Sequence, residues 1–512
     1  MAWYGPQTPL QKSAARDPLR SRPGCRPAKD GGSKRVVTEP TYLRAAKPRN
    51  AALWLRPIES SKGTTDRAVL HSQVWPEQIA IGRTVCAVSA SSGEFVDALV
   101  VGGGLTGLVT GSLLERAGRT VKVLEASGEV GGRTRSQLAA GRVVDVGGEL
   151  VGRRYQLVRG LVDDLGLHLT PAVPLPRLRL DESVRGVLRP RGLISLWHIH
   201  RQLRELTDCL DPARPWTHPQ ARELDSVTLA DWLASTTSDG SARQLVETCV
   251  RAFATVPADQ LSMLALLLWL QPGGGLSALV EETRWRLSEG AQEISRRLAA
   301  RLRGPVVLNC TVQTIAQERG VVRVTSSDGD TWQARNVAVC IPLAVTRGIT
   351  FEPALPDAQD SLLSEIAVPP ITKIVLLPAA SRQRSQLVIG DATFPVASMS
   401  SHHGLAFGYG ADTDAPPGSL ARRLAGRLGL AAQDLADTVE QPWHLDEHAR
   451  GGYPAFAPHM LTRHGPHLRA SVGNIHFAGA DRSSYPGTME GAVRDAYRVA
   501  KRINTTYMAQ GE

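Results

Sequence analysis

Gly102-Gly-Gly104-Leu-Thr-Gly107 sets three glycines at G-x-G-x-x-G spacing, directly after the apolar run Asp97-Ala-Leu-Val-Val101 and ahead of a helical pattern from Leu105 to Arg116. In a strand–loop–helix context each glycine has a task. Gly102 permits the tight turn, Gly104 lets backbone N–H groups approach a pyrophosphate, and Gly107 lets helix and strand pack closely. Leu105 and Thr106 open the helix, whose N-terminus offers partial positive charge to phosphates. Glu125, followed by Ala126, closes the run Val121-Lys-Val-Leu124, 18 residues after Gly107. A carboxylate there binds ribose hydroxyls and selects a free 2′-OH over a 2′-phosphate.

Two further glycine pairs follow. Gly131-Gly132-Arg133-Thr134 begins six residues beyond Glu125, and its backbone and guanidinium suit the same diphosphate. At that distance from the nucleotide loop it shifts the reading from a nicotinamide dinucleotide to FAD. Asp145-Val-Gly147-Gly148-Glu149 supplies the second pair, which would let the chain pass close to a flavin ring. Near the other end, Phe477-Ala-Gly479-Ala-Asp481 leaves backbone room for a phosphate or ribityl chain, and Asp481 can accept hydrogen bonds from its hydroxyls. Thr488-Met489-Glu490-Gly491-Ala492 then opens a last helix. Its dipole, aimed at the N1/O2 edge, would stabilise a reduced ring.

These residues need a scaffold, and the patterning supplies one. The first glycine loop lies in a βαβ unit whose continuous apolar strands are those of a buried parallel sheet. Helical stretches are expected at 195–209, 222–254 (broken near Ser238-Asp-Gly240) and 258–271, with short β runs at 306–308, 321–325 and 337–340. Further strands are expected within 371–410 and at Ile475–Phe477, and a helix over 489–503. The fold class is α/β: a discontinuous Rossmann-like FAD-binding domain built from 95–175, 280–345 and 445–505. An α+β substrate domain fills 176–279 and 346–444, with the flavin at the junction.

Composition narrows the function classes. Of 512 residues 42% are apolar and 21% charged, the balance of a globular enzyme. The longest apolar run, 264–270, is far short of the roughly 18 residues a membrane span needs, so no span is expected. The net charge of +10 is local: residues 1–90 hold 15 of the 59 basic and 6 of the 49 acidic side chains, leaving 44 against 43 elsewhere. A near-neutral body argues against a nucleic-acid partner. The leader is Pro-rich and reads as disordered. Its Arg richness leaves organelle targeting open; the alternative is a true start near Val85 or Val88, with the leader a translation artefact. Six scattered cysteines without a C-x-x-C pair fit a reducing, cytoplasmic setting.

This order of motifs resembles the flavin-containing amine oxidase family, in its monoamine-oxidase-like branch. The branch shows a dinucleotide fold, then G-G-R-x-x, then D-x-G-G-x-x-V-G, here Asp145-Val-Gly-Gly-Glu-Leu-Val-Gly152. The resemblance continues through Val337-Ala-Val-Cys-Ile-Pro342, Phe351-Glu-Pro-Ala-Leu-Pro356, Phe477-Ala-Gly-Ala-Asp481 and Met489-Glu-Gly-Ala492, covering about residues 95–505. It implies hydride transfer from a C–H beside nitrogen to flavin N5, with an amine or amino acid as substrate, molecular oxygen as acceptor and hydrogen peroxide as product. It implies that Lys373, in Pro369-Pro-Ile-Thr-Lys373, holds a water near N5. By itself, a cation among apolar strand residues is costly to bury without a partner or task; the alternative is a snorkelling or paired lysine at a sheet edge. For Val312 the resemblance implies backbone contact with the adenine.

The pattern departs from the family at the substrate face. Where the family carries its flavin-tethering cysteine in G-G-C-Y, this chain reads Gly451-Gly452-Tyr453-Pro454, so FAD is expected to be non-covalent. The family's two substrate-framing tyrosines fall on Pro454 and Thr488. Tyr453 and Thr488 are therefore the substrate-facing candidates, with Tyr485 as a neighbouring substitute. The altered cage leaves room for a flavin-dependent desaturase or dehydrogenase of a non-amine substrate, or for flavin binding without turnover. His444-x-x-x-His448 has the spacing of a metal pair but lies in loop-like sequence without a third ligand, and no metal is expected. Arg153-Arg154 reads as a solvated helix start rather than a carboxylate contact.

Overall fold

The computed structural model describes residues 95–509 apart from 174–175, 282, 380–383, 391–392, 402, 404 and 411–414. The expectations for residues 1–90 lie outside the described residues.

Strand β1 (Phe95–Val101) lacks polar alternation because both of its edges and both of its faces are covered. It pairs in parallel with β2 (Val121–Leu124) on one side and with Thr331–Val339 on the other. Thr331–Val339 also accepts the late strand Ile475–Phe477 in parallel, through Val337↔Ile475 to Val339↔Phe477. One long strand therefore brings Phe95–Val101 and Ile475–Phe477 into one sheet. Its first half closes an antiparallel meander with Val312–Glu318 and Val321–Ser326. Helix α1 (Leu105–Arg116) packs on the last helix, Met489–Ala509, and the Thr106 hydroxyl donates to the Ala492 carbonyl at 3.2 Å. Leu108, Leu114, Val123, Val493 and Ala496 share this core.

A second, six-stranded sheet runs in the order Leu435–Pro442, Thr372–Pro378, Leu405–Gly410, Val396–Ser400, Gln386–Ile389, Arg177–Leu180. All seven residues of Thr372–Pro378 are buried. Ile374 and Leu376 pack with Leu420 and Leu424 of the helix Ser419–Leu428. Val375 and Leu377, on the face that also carries Lys373, pack with Val144 and Val146 at a hairpin formed by β3 (Ser136–Ala139) and β4 (Arg142–Asp145). Lys373 thus sits in a central strand between two layers, which answers the sequence's alternative of an edge lysine: it is paired, but not at an edge.

The helical lobe centres on Met263–Leu270, buried at every position. The stretch expected at 222–254 is three helices, Ala221–Ser226, Leu229–Thr236 and Gly240–Ala254. Thr228 and Asp239 cap the latter two through their side-chain oxygens; the break before Gly240 falls where expected, while the one before Leu229 is a switch that apolar periodicity alone does not reveal. Ala455, Phe456, Leu461 and Leu468 join this lobe's core rather than that of the nucleotide-binding sheet. The expected run at 306–308 forms an isolated bridge, Leu124↔Val307, extending the sheet beyond β2.

Candidate active site

The first glycine loop divides its labour as its spacing suggests. A Cβ on Gly107 would collide with the Gly102 carbonyl oxygen, so this glycine lets helix and loop pack. Gly104 is the opposite case, because a Cβ there would meet nothing within 4 Å. Beside that open space runs Gly132, on which a Cβ would lie 3.7 Å from the Gly104 Cα. Gly131 donates its N–H to the Gly103 carbonyl at 3.0 Å. With φ of +122° and +54°, Gly131 and Gly132 take left-handed backbone that disfavours side chains. Two turns of bare backbone from separate segments thus face one cradle.

Glu125 ends β2 with its carboxylate fixed in place. Gly103 N–H donates to Oε2 at 2.5 Å and Ser127 N–H to Oε1 at 2.8 Å. Ala126 follows half-buried, and Cys310 N–H donates to the Glu125 carbonyl at 2.9 Å. Segment 307–310 therefore runs alongside, and Val312 begins the next strand.

The late motif closes on the same place. Arg133 Nη1 lies 2.7 Å from Asp481 Oδ1 and donates to the Gly452 carbonyl at 2.6 Å. Leu343 N–H donates to the other Asp481 oxygen at 3.1 Å. Gly479, at φ +151°, donates its N–H to Asp495 Oδ2 of the last helix at 2.9 Å. Met489 and Ala492 are buried on that helix's first turns. Glu490, fully buried, accepts from Leu157 and Val158 N–H at 3.1 and 3.0 Å, capping the helix Gln156–Asp164. That cap shows a packing reason for the Met-Glu-Gly-Ala sequence beyond any ring contact.

Lys373 lies at the junction, completely buried. Its Nζ donates to the Gly147 carbonyl at 2.8 Å and lies 3.3 Å from Glu149 Oε1. Arg286 Nη2 bridges Glu149 Oε2 at 3.4 Å and Asp145 Oδ2 at 3.1 Å. Asp145 Oδ1 in turn accepts from the Ser136 hydroxyl and the Ala291 N–H. Two buried cations thus face two buried anions. Burial holds Lys373 below its ordinary pKa, while Glu149 and Asp145 pull it back up. Between the buried Gly147 and Glu149, Gly148 is exposed, so the backbone beside this charge cluster opens outward.

Aromatic rings surround the cluster. Tyr409 is the cross-strand partner of Lys373, and the Phe407 and Tyr409 ring centroids lie 5.4 and 5.6 Å from Nζ. Burial raises the Tyr409 phenol well above its usual range. The Tyr453 ring packs against Gly487 so closely that a Cβ there would collide with it, meets Trp269 edge-on at 6.3 Å and donates its hydroxyl to the Phe253 carbonyl. A small pocket open to the surface, lined by Arg251, Thr255, Ile371, Pro395 and Tyr409, adjoins this wall.

Some expected residues are used differently. The Thr488 hydroxyl accepts the Gly491 N–H at 2.9 Å and donates to the Tyr485 carbonyl at 2.9 Å, so it caps the last helix. Thr488, half-buried, therefore has a structural role as a helix cap that its place in the motif did not announce. Tyr485 is 1% exposed and packs edge-on against Tyr155 in the nucleotide-binding core, so it does not stand in for the missing tyrosine. Arg153 and Arg154 are exposed ahead of the helix at Gln156. His444 and His448 do not share a metal-ligand cluster among the described residues. Sequence reasoning missed Tyr409, Phe407 and Arg286. The Phe-x-Tyr alternation of a strand was the available signal for the first two, and Arg286 had none short of the fold.

A nucleotide-binding sheet built from the strands Phe95–Val101 and Val121–Leu124 and completed by the late strand Ile475–Phe477, joined to a second sheet through a buried lysine, defines a dinucleotide-dependent oxidoreductase. Comparison with known proteins narrows this. Residues 105–504 match the family described as flavin containing amine oxidoreductase, and the chain belongs to that family. It is an FAD-dependent enzyme of the amine oxidase type. AofH of Mycobacterium tuberculosis, named as a flavin-containing monoamine oxidase, is 31% identical over 438 residues, covering 80% of this chain and 96% of that protein. Putrescine oxidase of Kocuria rosea is 29% identical, covering 80% and 95%. A solved putrescine oxidase with putrescine bound superposes with a TM-score of 0.75 at 25% identity, covering 80% of this chain and 99% of that one.

Proposed function

We propose that the chain is an oxidase of small amines that holds FAD without a covalent bond and returns electrons to oxygen. The carrying observation is Lys373, a buried cation bound to Gly147 beside the exposed Gly148. The residues fit FAD on their own terms. The space over Gly104 admits a diphosphate that a side chain would obstruct. Asp481 and Arg133 present paired charge beside it, and Glu125 is held for ribose hydroxyls.

Bound FAD supplies the two-electron chemistry, and the protein supplies orientation and electrostatics. In this reading Gly102, Gly104, Leu105, Thr106 and Gly107 with Gly131, Gly132 and Arg133 cradle the phosphates. Ala126 and Val312 flank the adenosine half, while Gly147, Gly148, Glu149, Gly479, Met489 and Ala492 border the ring and its ribityl chain. An ammonium has three N–H donors. Lys373 commits one to the Gly147 carbonyl and sits 3.3 Å from Glu149 as an ion pair, which leaves it donor capacity to hold a water where oxygen reacts. Phe407, Tyr409 and Tyr453 form an apolar wall that favours a neutral amine over a hydrated ammonium. Cys310 and Cys340 are pushed up to about 12 by burial and Cys249 to about 11. None of these thiols is poised as a thiolate, and the Gly451–Gly452–Tyr453 wall offers none, which supports non-covalent binding.

A peroxide-coupled screen of primary amines, diamines such as putrescine, and amino acids tests this. An amine-dependent peroxide signal is expected. A flavin reduced by a non-amine substrate and slow to react with oxygen would favour a dehydrogenase instead.

A further inference from the structure

Of the 59 basic side chains only eight are lysines, five of them within residues 1–90, and the rest are arginines. Lys122 is half-buried and Lys501 exposed, whereas Lys373 is completely buried. The choice of lysine there has a physical consequence. An arginine keeps its proton wherever it is placed, but a buried lysine gives its proton up readily unless its neighbours prevent it. The charge on Lys373 is therefore set by the groups around it.

Strand β4 and the loop after it contribute Asp145 and Glu149, the strand Trp285–Leu287 contributes Arg286, and the strand Leu405–Gly410 contributes Tyr409. Leu435–Pro442, on the other side, places the uncharged Gln441 opposite Lys373. The two carboxylates are occupied differently. Asp145 is engaged by the Ser136 hydroxyl, the Ala291 N–H and Arg286. Glu149 Oε2 lies 3.4 Å from Arg286, whereas the buried Oε1 takes no hydrogen bond among the described residues and has the Lys373 ammonium 3.3 Å away. That oxygen has one partner in charge and no other use. Arg286 acts with two signs: it seats Glu149, and its own charge repels the ammonium. Burial lowers the Lys373 pKa, Glu149 and then Asp145 raise it, and Arg286 lowers it. The Tyr409 phenol, pushed up by burial, stays neutral beside them.

We propose that Glu149 is a positioning residue for the oxygen reaction: seated by Arg286, it holds the Lys373 ammonium in place and keeps it cationic. The inference rests on the reading of Lys373 as the group that holds a water where oxygen reacts. A fixed cation favours the negative charge that oxygen acquires on reduction, and a neutral amine in the same place does not. Glu149 and Arg286 then govern, from opposite sides, the pH range over which electrons return to oxygen. A lysine is cationic below its pKa, so Glu149 extends that range upward and the repulsion from Arg286 limits it.

With only eight lysines in the chain, the charge on this one can be read directly. The full-length protein, freed of FAD, is labelled with carbon-13 at the lysine Cε, whose NMR shift reports loss of the ammonium proton, and Lys373→Met assigns the resonance. Glu149→Gln is expected to move the Lys373 titration down by at least about one pH unit. Arg286→Met is expected to move it up. Should Arg286→Met not fold, the combined variant Glu149→Gln, Arg286→Met carries the same sign, because it must titrate above Glu149→Gln. With FAD bound, the rate of reoxidation in air, followed by stopped flow across pH, should fall off at a lower pH in Glu149→Gln by the same interval. A packing role alone would move both variants the same way or move neither, and either result overturns the proposal. A reoxidation profile that stays in place while the Lys373 titration moves would overturn it too. Normal reoxidation in Lys373→Met would remove the oxygen role of Lys373 and the proposal with it, while the titrations of the FAD-free protein would still report the pairing.

Discussion

Lys373 and Glu149 meet at 3.3 Å in the protein interior, and the other oxygen of that carboxylate lies 3.4 Å from Arg286. The pair joins the substrate sheet to the nucleotide-binding half. Breaking one partner of a buried pair leaves an uncompensated charge and costs on the order of 3–5 kcal/mol, whereas an apolar replacement of the cation relieves it. Glu149→Gln should therefore lower the unfolding free energy by about 3 kcal/mol or more. Lys373→Met combined with Glu149→Gln should recover part of that loss. Denaturant unfolding of the two single variants and the double variant checks the coupling.

Lys373→Met alone should leave the bound flavin's colour intact and slow its reoxidation in air. Stopped-flow mixing of the reduced variant with oxygen reads this directly. A normal rate would remove Lys373 from the oxygen reaction while leaving its structural pairing in place.

Two glycines of one loop should respond in opposite ways. Gly107→Ala drives a methyl into the Gly102 carbonyl and should destabilise the fold by roughly 3 kcal/mol. Gly104→Ala points its methyl into open space, so melting of the apoprotein should change little while FAD affinity falls at least about tenfold, one protein–ligand contact of about 1.4 kcal/mol. Thermal melts with and without added FAD separate the two.

The loop order of the nucleotide half was legible in the sequence because steric rules dictate it: a strand, a glycine turn and a helix admit few arrangements. Residues whose roles depend on a distant segment were not. Thr488 looks substrate-facing by its place in the motif, and as the residue before a helix it also serves as a cap. Arg286 reads as an ordinary strand arginine until Asp145 and Glu149 are brought to it from more than 130 positions away. Tyr485 shows the converse, a tyrosine near the right motif that turns into the core.

Glu490 caps a helix from another part of the chain. Replacing it with alanine leaves two buried N–H groups and Arg494 without their acceptor. A loss of about 2 kcal/mol is expected, with hydrogen exchange accelerated at Leu157 and Val158 before the rest of the fold.

His476 should set part of the acid sensitivity. Its ring is buried between Ser471 and Asn336, and burial lowers its pKa to about 4. Between that value and the ordinary 6.5 the unfolded chain binds a proton that the folded one refuses. Stability is therefore complete above about 6.5 and falls as pH drops toward 4, by up to roughly 3 kcal/mol. His476→Gln should flatten that part of the melting profile.

The most direct test of the whole account is the absorbance spectrum of the purified protein before and after acid precipitation. A yellow protein that releases intact FAD into the supernatant, and whose apo form regains colour when FAD is added, is the expected result. A colourless protein that takes up no FAD under native conditions, or one that keeps its flavin in the acid pellet, would contradict non-covalent binding in the cradle of Gly104, Gly132, Arg133 and Asp481.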